Sequence, residues 1–92
     1  MENQVVTELI AKEDLYQYKI IDAPIDHSLE LRGKLQNALR LGNEFKSKTS
    51  ITFMTQSGPK RIETTVWSLT DKYLQIKGGI LLPVSSLIAI DY

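Results

Sequence analysis

Ninety-two residues with eleven Lys/Arg against eleven Asp/Glu make one small domain, with no room for a second core. Apolar residues at 42% and charged residues at 24% are ordinary globular proportions and exclude disorder along most of the chain. There is no cysteine, which rules out disulfide staples and thiolate metal sites.

The opening stretch MENQVVTELIAKEDL lacks the basic and then unbroken apolar regions of a signal peptide. No apolar run approaches the ~18 residues that span a bilayer. The expectation is a soluble, cytoplasmic protein that makes no membrane contact. The zero net charge is unevenly spread. Residues 1–45 hold five basic and eight acidic side chains, and residues 46–92 hold six basic and three acidic. An excess of three positive charges is a slight footprint for a polyanion binder.

Residues 1–27 form an N-terminal arm that the pattern leaves open. Val5, Val6, Leu9 and Ile10 fit a short amphipathic helix. Tyr16, Tyr18 and Ile20 alternate with Gln17, Lys19 and Ile21 as a strand would. Pro24, in DAPIDHS, pushes Ala23 away from helical geometry and closes the arm. His27 is the only histidine and stands between Asp26 and Ser28. Three consecutive residues cannot set out a nucleophile, base and orienter in relay, so Asp26 and Ser28 read as helix-cap candidates. Glu13-Asp14 and Asp22/Asp26 are the nearest acid pairs, and solvated surface accounts for them.

The stretch SLELRGKLQNALRLGN predicts a helix from about 29 to 41, within a unit spanning 28–42. Leu31, Leu35, Ala38 and Leu39 recur at helical spacing and give the face that packs on the rest of the domain. Ser28 suits the N-cap, Glu30 the positive first turn and Arg40 the negative last turn. Gly42 suits the left-handed position that stops a helix. Gly33 is a flaw of ~1 kcal/mol relative to alanine.

From residue 46 the period changes to two. TSITFMTQ reads as a strand, SGPK as a turn, and RIETTVWSL as a second strand. In that second strand Ile62, Thr64 and Val66 share one face, whereas Trp67 and Leu69 point to the other. The change of phase predicts a bent or bulged strand serving two sheets. In YLQIKGGILLPV the glycines Gly78 and Gly79 predict a tight hairpin, since both central residues of such a turn take positive φ. A phosphate loop would need its lysine after the glycines and a helix beyond, and here Lys77 precedes them. A two-residue turn would set Ile76 opposite Leu81 and Leu74 opposite Pro83. Pro83 cannot donate to a ladder and marks a strand end or edge. PVSSL suits one 3₁₀ turn, and IAIDY makes a last strand.

The order of these elements resembles small SH3-like and Sm-like barrels. GPKRIETTVWSLTDKYLQIKGGILLPVSSLIAI is similar to the barrel of those families, with its Lys-Gly-Gly hairpin and its Leu-Pro-Val turn before the closing strand. Together with ALRLGN it also resembles small bacterial proteins that have no assigned activity. The resemblance implies an N-terminal helix packed on a bent antiparallel β-barrel or sheet of four or five strands, over residues 46–92. The Sm family's RNA-binding Asn and Arg-Gly are replaced here by TDKYL and IKGGI, so uridine recognition does not carry over.

Among basic residues of the β half, Lys60, Arg61, Lys72 and Lys77 lie at or beside turns, which often line binding surfaces of small barrels. Trp67 and Tyr73 could stack on bases there, whereas Phe53 reads as core. No catalytic constellation, metal-ligand spacing or cofactor motif is present in the sequence. The expectation is a non-enzymatic binding or adaptor domain with a protein partner or itself. The alternative is RNA or single-stranded nucleic acid on the basic face.

Overall fold

The period-two half of the chain resolves into six strands, joined by a seventh from the arm. A computed structural model describes residues 7–92. In chain order these are β1 (Glu8–Leu9), a 3₁₀ turn (Lys12–Gln17), α1 (Ser28–Phe45), β2 (Thr49–Thr55), β3 (Gly58–Thr64), β4 (Val66–Leu69), β5 (Tyr73–Ile76), β6 (Ile80–Pro83), a second 3₁₀ turn (Val84–Ser86) and β7 (Leu87–Asp91). The strands form a four-stranded sheet in the order β1-β3-β2-β7 and a three-stranded sheet in the order β4-β5-β6. The architecture is therefore α+β in two sheets. It is not a closed barrel of four or five strands.

Thr65 alone separates β3 from β4, so one continuous run crosses from the first sheet to the second. The register between β4 and β5 slips between Val66 and Ser68, a bulge at the place where the apolar phase of the sequence changes. Between the sheets Ile51, Phe53, Ile62, Val66, Leu74, Ile76, Leu82, Leu87 and Ile90 are all fully buried. The α1 helix covers this core by packing on β4 and β7 through Leu31, Leu35 and Ala38, with Leu39 partly buried.

The helix runs past its expected end. Gly42 does not stop it; the left-handed residue is Lys46, with φ 53°. Gly42 is instead buried inside the helix, because a Cβ there would collide with the Val66 carbonyl oxygen. The glycine serves close approach of helix to strand. At the other end His27, not Ser28, holds the cap position, and its carbonyl accepts the Leu31 N–H at 2.9 Å.

Asp26 satisfies the next donor. Its carboxylate accepts the Ser28 hydroxyl and, at 2.9 Å, the Ser28 backbone N–H. These two bonds, the hydroxyl first, hold the Asp26 carboxyl below its ordinary value of 3.8. A folded-state value below the unfolded one gives stabilisation that is present above pH 3.8 and lost as pH falls through the lower folded value. Asp26→Asn is thus expected to soften the acid-side fall of stability, read as the urea midpoint from neutral pH down to about pH 2. An unchanged acid limb would refute the role.

The arm departs from both sequence expectations. Val5 and Val6 lie outside the described residues. Leu9 belongs to β1, which runs parallel to β3 with Glu8 opposite Lys60. Lys12–Gln17 is a 3₁₀ turn where a strand was expected from Tyr16, and only Ile20 makes an isolated bridge, to Thr55. Burial explains the path: Ile10 and Leu15 are the arm's two buried anchors, too far apart in phase for one helix face or one strand face.

The hairpin glycines take φ of 93° at Gly78 and 83° at Gly79. Its loop nevertheless has three residues, so Ile76 pairs with Ile80, Leu74 with Leu82 and Tyr73 with Pro83. The register differs by one residue from a two-residue turn, which moves Leu81 from the core face to the outer face. The turn before β3 is also displaced, with Gln56 and Ser57 reversing the chain and Pro59 already paired with Met54.

Candidate functional site

Two surfaces collect exposed side chains that the core does not need. The first is the outer face of the three-stranded sheet. Since Leu74, Ile76 and Leu82 point inward, strand alternation sends Tyr73, Gln75 and Leu81 outward. Tyr73 is 45% and Leu81 52% exposed, diagonal to each other across the β5–β6 pair. β6 is one of the two edge strands of that sheet, β4 being the other, so one side of its backbone has no strand partner among the described residues.

The second surface is a cleft where the end of α1 meets the β3–β4 bend, and Thr65 builds it. The Thr65 carbonyl accepts the Lys77 N–H at 2.9 Å, fixing the start of the hairpin loop. The Thr65 hydroxyl donates to the Lys46 carbonyl at 3.4 Å, fixing the end of the helix. With Gly42 pressed on Val66, these contacts gather Asn43, Lys46, Lys48, Trp67 and Lys77 around an open cavity of about 430 Å³. A groove of about 350 Å³ continues from it past Lys48, Thr65 and Lys77 to Lys12 and Glu13. Lys12 Nζ would stand 3.6 Å from a Cβ at Gly78, so a fourth ammonium overlies the hairpin turn.

The four basic residues singled out from the sequence do not share a face of free charge. Lys60 is paired with Glu8 at 2.6 Å and lies 5.4 Å from the Tyr18 ring centroid, with only 13% of its side chain exposed. The Glu8 carboxylate raises the Lys60 pKa above 10.5. Arg61 holds Glu63 at 3.1 Å and reaches Ser50 at 3.3 Å. Lys72 sits at the β4–β5 turn in a shallow pocket that also contains Asp26 and Asp71. Only Lys77 joins the new cluster. Trp67 lies in the cleft, Tyr73 lies on the outer sheet face, and Phe53 is core.

No family model, no curated protein and no solved structure matches this chain.

Sequence reasoning passed over Lys46, Lys48, Asn43 and Lys12. Their neighbours along the chain give no sign of a site. They converge only through Thr65, which ties residues 46 and 77 together. At the head of α1, His27 Nδ1 lies 2.9 Å from Glu30 Oε1 while Asp26 and Ser28 bond each other. That arrangement caps a helix. Among the described residues, no three His, Asp or Glu side chains gather as a metal site would need. No helix there is long and apolar enough to cross a membrane.

Proposed function

We propose that this chain is a small non-enzymatic binding module of the SH3-like or Sm-like kind, soluble and cytoplasmic, without a cofactor. It engages protein chains, a second copy of itself among them, along β6. The observation that carries the reading is the β6 edge, unpaired among the described residues, beside half-exposed Tyr73 and Leu81, the arrangement to which an extended segment adds as a further strand. Two sheets linked by one bent strand, with a 3₁₀ turn before the last strand, support the kinship.

Sedimentation velocity over rising protein concentration tests the self-contact. The mass of the native chain is expected to climb with concentration. Leu81→Lys, which places a charge on an exposed edge residue, is expected to stay monomeric with its melting temperature nearly unchanged. A native chain that is monomeric at every concentration overturns the self-contact.

A second reading, contact with RNA or single-stranded DNA, is favoured by one specific observation. Lys46, Lys48 and Lys77 converge beside an exposed tryptophan, although the broader basic face is neutralised at Lys60 and Arg61.

A further inference from the structure

The cleft pairs three ammonium groups with one planar ring, and the ring is open. Trp67 is 47% exposed. The one cation over an aromatic ring among the described residues is Lys60 on Tyr18, so no lysine covers the Trp67 face. Of the acids around it, Glu44 is held by Arg40 at 3.4 Å and Glu63 by Arg61, while Glu13 lines the adjoining groove and Asp91 shares a neighbouring pocket with Lys48. Among the described residues, Lys46, Lys48 and Lys77 enter no ion pair. Like charges brought together in a concavity raise the local positive potential and favour an anion there. Ammonium groups suit phosphate as point charges, and the indole face suits a base, which stacks on it whatever its identity. At about 430 Å³ the space lies in the ordinary range for a small-molecule site.

We propose that this cleft is a nucleotide site. The base stacks on Trp67, the phosphate lies among Lys46, Lys48 and Lys77, and Asn43 offers an amide to the base or sugar. The nucleotide is either free or one unit of a single strand; in the second case the inference rests on, and localises, the nucleic-acid reading above. The cleft is separate from the β6 edge, so it stands whether or not the protein contact does.

Trp67 is the only tryptophan, so its fluorescence reports the cleft alone. The native chain is titrated with adenosine monophosphate, with a short single-stranded oligonucleotide, and with inorganic phosphate as competitor. Saturable quenching by the mononucleotide, reversed by phosphate, supports the site with a free nucleotide as ligand. Quenching by the oligonucleotide alone supports it with a strand as ligand. In either case Lys48→Gln with Lys77→Gln is expected to weaken binding about tenfold or more and to flatten its salt dependence. Trp67→Ala, followed by the anisotropy of a labelled ligand, is expected to weaken binding by about five- to a hundredfold, with Trp67→Phe restoring most of it. All of these residues are exposed, and melting curves confirm that each variant folds. Oligonucleotide binding that is indifferent to Trp67→Ala overturns the cleft while leaving a general polyanion contact standing. Failure of both ligands to bind at low salt, where phosphate contacts are strongest, overturns the cleft and the nucleic-acid reading together.

Discussion

Phe53→Ala is expected to be the most damaging single truncation, costing about 3–5 kcal/mol. Phe53 is fully buried in the middle of β2, which is hydrogen-bonded to β3 on one side and β7 on the other. Removing the ring deletes contacts with both flanking strands at once. The flanking strands, held in place by their ladders to β2, cannot collapse into the space, so a cavity term adds to the lost transfer energy. A domain of this length has roughly 5–14 kcal/mol of stability in all. The melting temperature should therefore fall by roughly 12–40 °C. Urea denaturation followed by Trp67 fluorescence and by far-ultraviolet circular dichroism measures it. Phe45→Ala is the matched control, since Phe45 is 68% exposed at the end of α1, and its change should stay within about 0.5 kcal/mol. A loss below about 1 kcal/mol at Phe53 would mean that β2 does not occupy the centre of the core.

Local signals carried the sequence reading as far as local physics reaches. The helix was legible because Leu31, Leu35 and Ala38 repeat at the spacing of one buried face. The crossing between sheets was legible because the apolar phase breaks near Val66, where a bulge lies. What stayed hidden depended on partners distant in sequence. Whether the Gly78–Gly79 turn has two or three loop residues is decided by which register buries Leu82 and exposes Leu81, and only the assembled core sets that. The arm's path is set by Ile10 and Leu15 finding the core, against the weak local patterns around them.

The cleft was hidden for a related reason. Lys60 and Arg61 drew attention as adjacent basic residues at a turn, yet Glu8 arrives from the arm to bind one and Glu63 sits two residues away to bind the other. Lys46 and Lys48 are two more basic residues of the β half, and nothing adjacent in sequence sets them apart. Helix extension beyond Gly42 and the two bonds to Thr65 turn them toward Trp67 and Lys77. A composition count gives the same net charge for both sets, so only their pairing separates neutralised charge from available charge.

Gly42→Ala and Gly33→Ala, the same substitution nine residues apart in one helix, are expected to act in opposite directions. Alanine at an exposed helix interior gains ~1 kcal/mol over glycine, and a Cβ at Gly33 would meet nothing within 4 Å. Gly33→Ala should therefore raise stability by about that amount. At Gly42 the new Cβ runs into the Val66 carbonyl oxygen and stands 3.2 Å from Thr65 Cγ2. A side chain can swing away, but a backbone carbonyl inside the bend between two sheets cannot, so α1 must lift off the strand. Overpacking of this kind costs about 1–3 kcal/mol and more when backbone must move. With backbone in the way the cost falls at the top of that range, about 3 kcal/mol, which outweighs the ~1 kcal/mol propensity gain and leaves a net loss of ~2 kcal/mol, or roughly 8–16 °C in melting temperature. Lifting the helix also withdraws Asn43 and Lys46 from Trp67, so the tryptophan emission should shift in the folded Gly42→Ala protein and not in Gly33→Ala. If both variants gain stability, then Gly42 ends a helix as its sequence context suggests, α1 does not touch the bend, and the cleft that this contact shapes loses its floor.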